Sequence, residues 1–277
     1  MSELLAVRGL TVSFNGGPAV DAIDFSVPTG GALGIVGESG SGKSMASLAI
    51  MGLLPPEASR SGSISFGGQE LTALSERRMR AVRGDRIAMV FQDPLSSLNP
   101  YYTVGAQIAE AYRAHRPGVS RRAARAAAVE AMERVHIREA GRRVDDYPHQ
   151  FSGGMRQRVM IAMALGAEPE LIIADEPTTA LDVTVQAQIL DLLTEVRRET
   201  GAALVLVTHD LAVVSEVADD LVVMRGGKVV EAGTAEQVFS DPQHPYTQAL
   251  LDAVPRIDAP PTTAQATSGQ GAAGGGS

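Results

Sequence analysis

Eight residues near the start of the chain, Gly37-Glu38-Ser39-Gly40-Ser41-Gly42-Lys43-Ser44, satisfy the pattern G-x-x-x-x-G-K-[ST] at every constrained position. Such a stretch needs a strand entering it and a helix leaving it. The apolar run Ala32-Leu33-Gly34-Ile35-Val36 reads as the strand, and Met45 to Leu54 reads as the helix. In that setting the glycines let the backbone curl so that successive N–H groups and the helix N-terminus face phosphate. Lys43 then reaches the β and γ oxygens and Ser44 ligates Mg²⁺. An ordinary glycine-rich turn is the competing reading, and the flanking strand and helix count against it.

The rest of the chain has the alternation that such a loop is built into. Leu4 to Phe14 and Ala22 to Val27 read as two strands of an antiparallel lobe, separated by the turn Asn15-Gly16-Gly17-Pro18. Phe14 lies just ahead of the phosphate loop in sequence, where its ring either stacks on an adenine or packs as a core phenylalanine. Ser63 to Phe66 and Arg86 to Phe91 read as strands, with an arginine-rich helix from Ser75 to Val82 between them. From Pro94 to about Gly166 the texture is helical, with Val104 to His115 and Arg121 to Val135 divided by Pro117-Gly118. Seven arginines between Arg121 and Arg143 face Glu130, Glu133 and Glu139, which reads as a solvated face or as a docking surface.

Strand and helix then alternate again through Leu171 to Ala174, Val183 to Arg197 and Ala203 to Val207. Leu221 to Met224 and Lys228 to Glu231 form a terminal hairpin across Gly226-Gly227. Continuous apolar strands alternating with helices imply a mainly parallel sheet covered on both faces. The expected fold is therefore α/β: a phosphate-loop nucleotide-binding core with a mainly parallel sheet, an N-terminal antiparallel lobe and an inserted α-helical subdomain. The expected divisions are 1–93 with 167–240 for the core, 94–166 for the helical insertion, 241–259 for a C-terminal extension and 260–277 for a disordered tail. Gly274-Gly275-Gly276-Ser277 has the composition of a linker.

Composition removes several function classes. With 277 residues and 44% apolar content the chain can bury a sizeable core. Net charge is −8 and pI about 5.2, so no nucleic-acid partner is expected. With no cysteine the chain holds no disulfide, thiolate zinc site or cysteine-ligated cluster. No apolar run approaches the ~20 residues of a membrane span, so any membrane role is expected to run through a partner.

A second chemical site is Asp175-Glu176, which closes the buried run Leu171-Ile172-Ile173-Ala174. An aspartate at that place beside a phosphate loop holds Mg²⁺, and the adjoining glutamate polarises the attacking water; the bland reading is two acids ending a strand.

Phe151-Ser152-Gly153-Gly154-Met155-Arg156-Gln157-Arg158 resembles the signature motif of ABC-transporter ATPases. In the same order as in that family, Gln92 resembles the Q-loop glutamine, Ala180-Leu181-Asp182 the D-loop, and His209 the switch histidine. The resemblance runs from Leu4 to Arg256. It implies two ATPase subunits arranged head to tail, with ATP held between the phosphate loop of one and Ser152, Gly153 and Gly154 of the other. It further implies Glu176 as general base, His209 as holder of the γ-phosphate and water, Asp182 as a link between the two sites, Gln92 as a Mg²⁺ sensor, and an adenine-stacking role for Phe14. The metal set is then Ser44, Gln92 and Asp175.

The subfamily follows from Phe91 to Pro100 (FQDPLSSLNP), from Tyr147-Pro148-His149-Gln150, from Met155, and from His244 to Leu251 (HPYTQALL). These resemble the peptide/nickel importer ATPases of bacteria. The implied partners are a second related ATPase subunit, as heterodimer or homodimer, two transmembrane permease subunits and an extracytoplasmic solute-binding protein. The implied place is the cytoplasmic face of the bacterial membrane. Many peptide-importer members continue into a cysteine-bearing segment, which leaves nickel or a metal chelate as an alternative cargo. A nucleotide-binding module outside transport is the third alternative, and Glu176 with His209 argues against it.

Overall fold

The computed structural model describes residues 2–179 and 181–253, so Ala180 and the expected tail at 260–277 lie outside it. Strands β1 (Glu3–Phe14) and β2 (Gly17–Pro28) pair antiparallel, so the second strand begins at Gly17 and the turn shrinks to Asn15-Gly16. The expected four-residue turn is thus too long, because Gly17 and Pro18 already pair with Phe14 and Ser13. After β3 (Ala32–Val36) come α1 (Lys43–Met51), β4 (Ser59–Phe66), β5 (Gln69–Glu70), α2 (Glu76–Val82) and β6 (Ile87–Val90). Gly52, left-handed at φ 61°, ends α1 at Met51, three residues before the expected Leu54.

The helical stretch holds α3 (Pro94–Ser97), α4 (Val104–Ala114), α5 (Arg121–Arg134), α6 (Ala140–Arg143), a 3₁₀ turn at Pro148–Gln150 and α7 (Gly153–Leu165). Thr103 and Ser120 cap α4 and α5 by accepting from Ala106 N–H and Ala123 N–H at 3.2 Å each. Along the arginine-rich stretch, Arg125 pairs with Asp145 at 2.6 Å, Arg142 with Glu139 at 3.1 Å and Arg143 with Asp146 at 3.7 Å. The chain closes with β7 (Leu171–Asp175), α8 (Val183–Thr200), β8 (Ala203–Thr208), α9 (Leu211–Ser215), β9 (Asp220–Arg225), β10 (Lys228–Thr234), α10 (Ala235–Ser240) and α11 (Pro245–Asp252).

Two sheets result. One is four-stranded with order β2-β1-β4-β5, and its named pairs run antiparallel; the other is six-stranded with order β10-β9-β3-β8-β7-β6. In the larger sheet β6, β7, β8, β3 and β9 run parallel and β10 returns antiparallel on β9. The central strands are buried along their whole length, and alternate residues serve different cores. Leu33, Ile35, Leu171, Ile173, Val205 and Val207 pack toward the antiparallel lobe and α1, whereas Val36, Ile172, Ala174, Leu204 and Leu206 pack toward the other helices. A strand sandwiched this way must be apolar at every position, which is why these runs do not alternate in sequence. Because β3, β8, β7 and β6 are adjacent and parallel, the residues following all four emerge on one edge.

Candidate functional site

That edge carries the phosphate loop. Gly42 stands at the N-cap of α1 with φ 101°, where a Cβ would meet the Ala19 carbonyl oxygen at 2.5 Å; Gly37 has the Met224 carbonyl oxygen 2.1 Å from where its Cβ would lie. No larger residue fits at either place, so the loop is pressed against backbone on two sides. Lys43 is 4% exposed, and its Nζ donates to the carbonyl oxygens of Gly37 at 2.7 Å and Glu38 at 2.9 Å. Burial pushes the ammonium below the ordinary lysine value, against the raising pull of Glu176, Asp175 and Glu38.

Beside it, Ser44 Oγ donates to Asp175 Oδ1 at 3.0 Å, joining the first turn of α1 to the end of β7. Burial pushes the Asp175 carboxyl up; the Ser44 hydrogen bond opposes this, Glu176 adds to it, and Lys43 opposes it. A hydroxyl and a carboxylate oxygen side by side are hard ligands of the kind Mg²⁺ takes. Among the described residues no group of three or more His, Cys, Asp or Glu has metal-holding geometry. The pair therefore fits an ion that shares its coordination with phosphate and water rather than one caged by protein.

Glu176 follows with φ 46°, a left-handed conformation that a glutamate adopts at a cost, and its N–H still donates to the Val207 carbonyl at 2.8 Å. Strain of this kind, held by a neighbouring strand, turns the side chain out of the sheet edge. Oε2 of Glu176 accepts from Gln92 Nε2 at 3.1 Å and from Thr179 Oγ1 at 2.8 Å, and lies 3.4 Å from His209 Nδ1. The carboxylate is thus met from β6, β7 and β8 at once, with the imidazole side chain 57% exposed and the carboxylate 13% exposed. Lys43, Ser44, Gln92, Glu176 and His209, with Glu38, Ser39, Gly40 and Gly42, line one open cleft of about 780 Å³.

Other expected residues lie elsewhere. Ser41 is buried beside Gly37 rather than lining the cleft. Phe14 ends β1 opposite Gly17, packs against the lobe's core and does not line the cleft. Ser152 caps α7 by accepting from Met155 N–H at 3.4 Å, and Ser152 and Gly153 are exposed away from the cleft. A Cβ on Gly154 would stand 2.4 Å from Val185 Cγ1, so the second glycine lets α7 close on α8. Asp182 caps α8 through a 2.9 Å bond from Val185 N–H. Thr179, the hydroxyl donor to Glu176, escapes a reading by motif, although it sits three residues after a strand-ending acid where a turn residue would reach back.

Comparisons with known proteins agree with this geometry. A family model described as ABC transporter matches residues 20–179, and one described as the C-terminal region of oligopeptide/dipeptide transporters matches residues 230–274. The chain is 51% identical over 264 residues to the dipeptide transport ATP-binding protein DppD of Bacillus subtilis, covering 93% of this chain and 78% of that protein. It is 52% identical over 259 residues to the DppD of Escherichia coli, covering 92% and 79%. It is 49% identical over 262 residues to the oligopeptide transport ATP-binding protein OppD of Haemophilus influenzae, covering 93% and 81%. Among solved structures, a dimeric ATP-binding cassette in a post-hydrolysis state with ADP and Pi superposes with TM-score 0.74 at 28% identity, over 83% of this chain and 98% of that one. The structure of cbiO1 from Clostridium perfringens, part of the ABC transporter complex cbiONQ, gives 0.74 at 29% identity over 87% of this chain and 92% of that one.

Proposed function

The chain belongs to the ABC transporter family of ATPases, and from that premise we propose that it is the ATP-hydrolysing subunit that powers a bacterial peptide importer. Peptide cargo is supported by its half-identity to dipeptide and oligopeptide transport subunits and by the matching C-terminal region, and neither favours the nickel alternative. The observation that carries the chemistry is the convergence on one cleft of Lys43, the Ser44–Asp175 pair and the Glu176 carboxylate held by Gln92, Thr179 and His209.

In this reading Lys43 leaves the carbonyls of Gly37 and Glu38 to take phosphate oxygens, and the first N–H groups of α1 complete the cradle. Ser44 and Asp175, with Gln92, hold Mg²⁺, which neutralises phosphate charge when bound. Glu176 accepts a proton from water, and its strained backbone keeps the carboxylate aimed across the cleft. His209, beside that carboxylate, steadies the water and the γ-phosphate. Ser152 and Gly153, exposed and outside this cleft, with the N–H groups around the buried Gly154, serve the cleft of a second ATPase subunit, whose own signature serves this one. Asp182, capping α8 next to that surface, ties the two sites, and Phe14, half-buried at the end of β1 and outside the cleft, meets adenine by turning its ring off the lobe's core.

Transport needs membrane subunits, because among the described residues no helix is long and apolar enough to cross a membrane. A groove of about 370 Å³ lined by Met51, Leu53, Phe91, His115 and Met160 lies where the helical stretch 94–166, proposed here as the signature subdomain, meets the core. Phe91 and Leu53 are 40% and 39% exposed there, and Phe91 directly precedes Gln92. A permease subunit seated in this groove is placed to feel Gln92 move. Cargo choice rests with the permeases and an extracytoplasmic binding protein. The test is ATP turnover by the chain reconstituted with its permeases and partner ATPase, with and without peptide-loaded binding protein. Turnover stimulated by peptide supports the reading; turnover stimulated only by nickel or a metal chelate contradicts the cargo.

A further inference from the structure

Helix α11 is far from the phosphate loop in sequence, yet it touches it. Glu231 on β10 accepts the N–H groups of Gln243 at 2.7 Å and His244 at 3.1 Å, which anchors the approach to the helix. His244 then caps α11, its Nδ1 accepting from Tyr246 N–H at 3.1 Å, and Pro245 occupies the first turn. Held this way, Tyr246 packs against the core, and its hydroxyl accepts the N–H of Glu38 at 2.9 Å. Arg225 sits over the tyrosine ring with Cζ 4.8 Å from the centroid, and its Nε lies 3.9 Å from Glu38 Oε1.

The peptide unit between Gly37 and Glu38 is therefore gripped at both ends. Its carbonyl takes Lys43 Nζ at 2.7 Å and its N–H gives to Tyr246 at 2.9 Å. A peptide unit is planar, so fixing the N–H fixes where the carbonyl points and hence where the Lys43 ammonium rests. We propose that Tyr246 is a positioning residue of the nucleotide site, and that the C-terminal segment acts through it to set nucleotide affinity. Released from Tyr246, the Gly37–Glu38 peptide turns, the lysine loses its fixed rest position, and the loop has to be ordered at the expense of binding. The inference rests on the ATPase reading of this cleft.

The test uses the full chain with Mg²⁺ and titrates ATP and ADP by calorimetry. Tyr246→Phe removes the hydroxyl and keeps the ring under Arg225; Asp252→Ala, an exposed change on the same helix, is the control. Losing one neutral hydrogen bond predicts affinity weaker by about three- to tenfold for both nucleotides in Tyr246→Phe and unchanged in the control. In the assembled transporter KM for ATP rises by the same factor while kcat holds, a split that mere loss of packing does not give. Wild-type affinity in Tyr246→Phe overturns the proposal, whatever happens to its melting temperature, and so does a fall in kcat at constant KM. A wild-type chain that bound neither nucleotide would overturn the ATPase reading itself, which sets the two failures apart.

Discussion

Gln92 Nε2 donates to Glu176 Oε2 at 3.1 Å, bridging the ends of β6 and β7 across the floor of the cleft. The same oxygen takes Thr179 Oγ1 at 2.8 Å, so the carboxylate is aimed by two neutral donors and flanked by an imidazole. Aim and basicity can therefore be altered separately.

Thr179→Val keeps the shape of the side chain and removes one of those donors. Turnover is expected to fall about tenfold through misplacement of the carboxylate, with ATP affinity unchanged. Steady-state kinetics beside a binding titration check it, and a change in affinity instead would place Thr179 in nucleotide binding.

Lys43→Ala has the opposite signature. It removes the buried ammonium that the loop holds in readiness for phosphate, so ATP affinity should weaken by about 10- to 100-fold. Calorimetric titration of the full chain measures it.

Asp175→Asn separates stability from metal binding. Burial raises this carboxyl above the ordinary value of 3.8, so its folded pKa exceeds the unfolded one. Its stabilising contribution is then full below about 3.8 and lost as pH rises through the raised value, leaving a buried charge that costs stability at neutral pH. The amide should raise the melting temperature of the nucleotide-free chain at pH 7, by about 2–4 °C for each kcal/mol recovered, and shrink the further rise given by Mg²⁺ and ATP. The nucleotide-free gain should vanish in acid.

Gly154→Ala drives a methyl group to 2.4 Å from Val185 Cγ1, an overpacking worth about 1–3 kcal/mol. Val185→Ala in the same chain should recover much of it. Additive losses in the double variant would show that α7 and α8 do not press together at this point.

Much of the site was legible because its chemistry is local. The phosphate loop, Asp175-Glu176 and His209 each follow a short apolar run, and parallel strands carry such ends to one edge. What stayed hidden depends on pairing or on distance. The start of β2 at Gly17 follows from its register with β1, since nothing in a Gly-Gly-Pro run announces a strand. Phe14 lies before the loop in sequence, and its half-buried place opposite Gly17, against the lobe's core, comes from the pairing of β1 with β2. Tyr246 reaches Glu38 across 208 residues, a contact that depends on where β10 and α11 dock and leaves no local pattern.

ATP hydrolysis in this cleft depends on Glu176 as the base. Glu176→Gln keeps the donor-facing oxygen and the shape, and leaves Lys43, Ser44 and Asp175 intact, so affinity for ATP and Mg²⁺ should survive. The amide cannot accept the proton, which for a general base is worth about 10²–10⁴ in rate. The measurement is single-turnover hydrolysis in the assembled transporter, with the partner ATPase's corresponding acid also changed so that neither cleft can stand in for the other. The expected result is tight nucleotide binding, a closed ATP-bound dimer and turnover reduced by at least two orders of magnitude. Turnover near the wild-type rate in that double variant would contradict Glu176 as the general base.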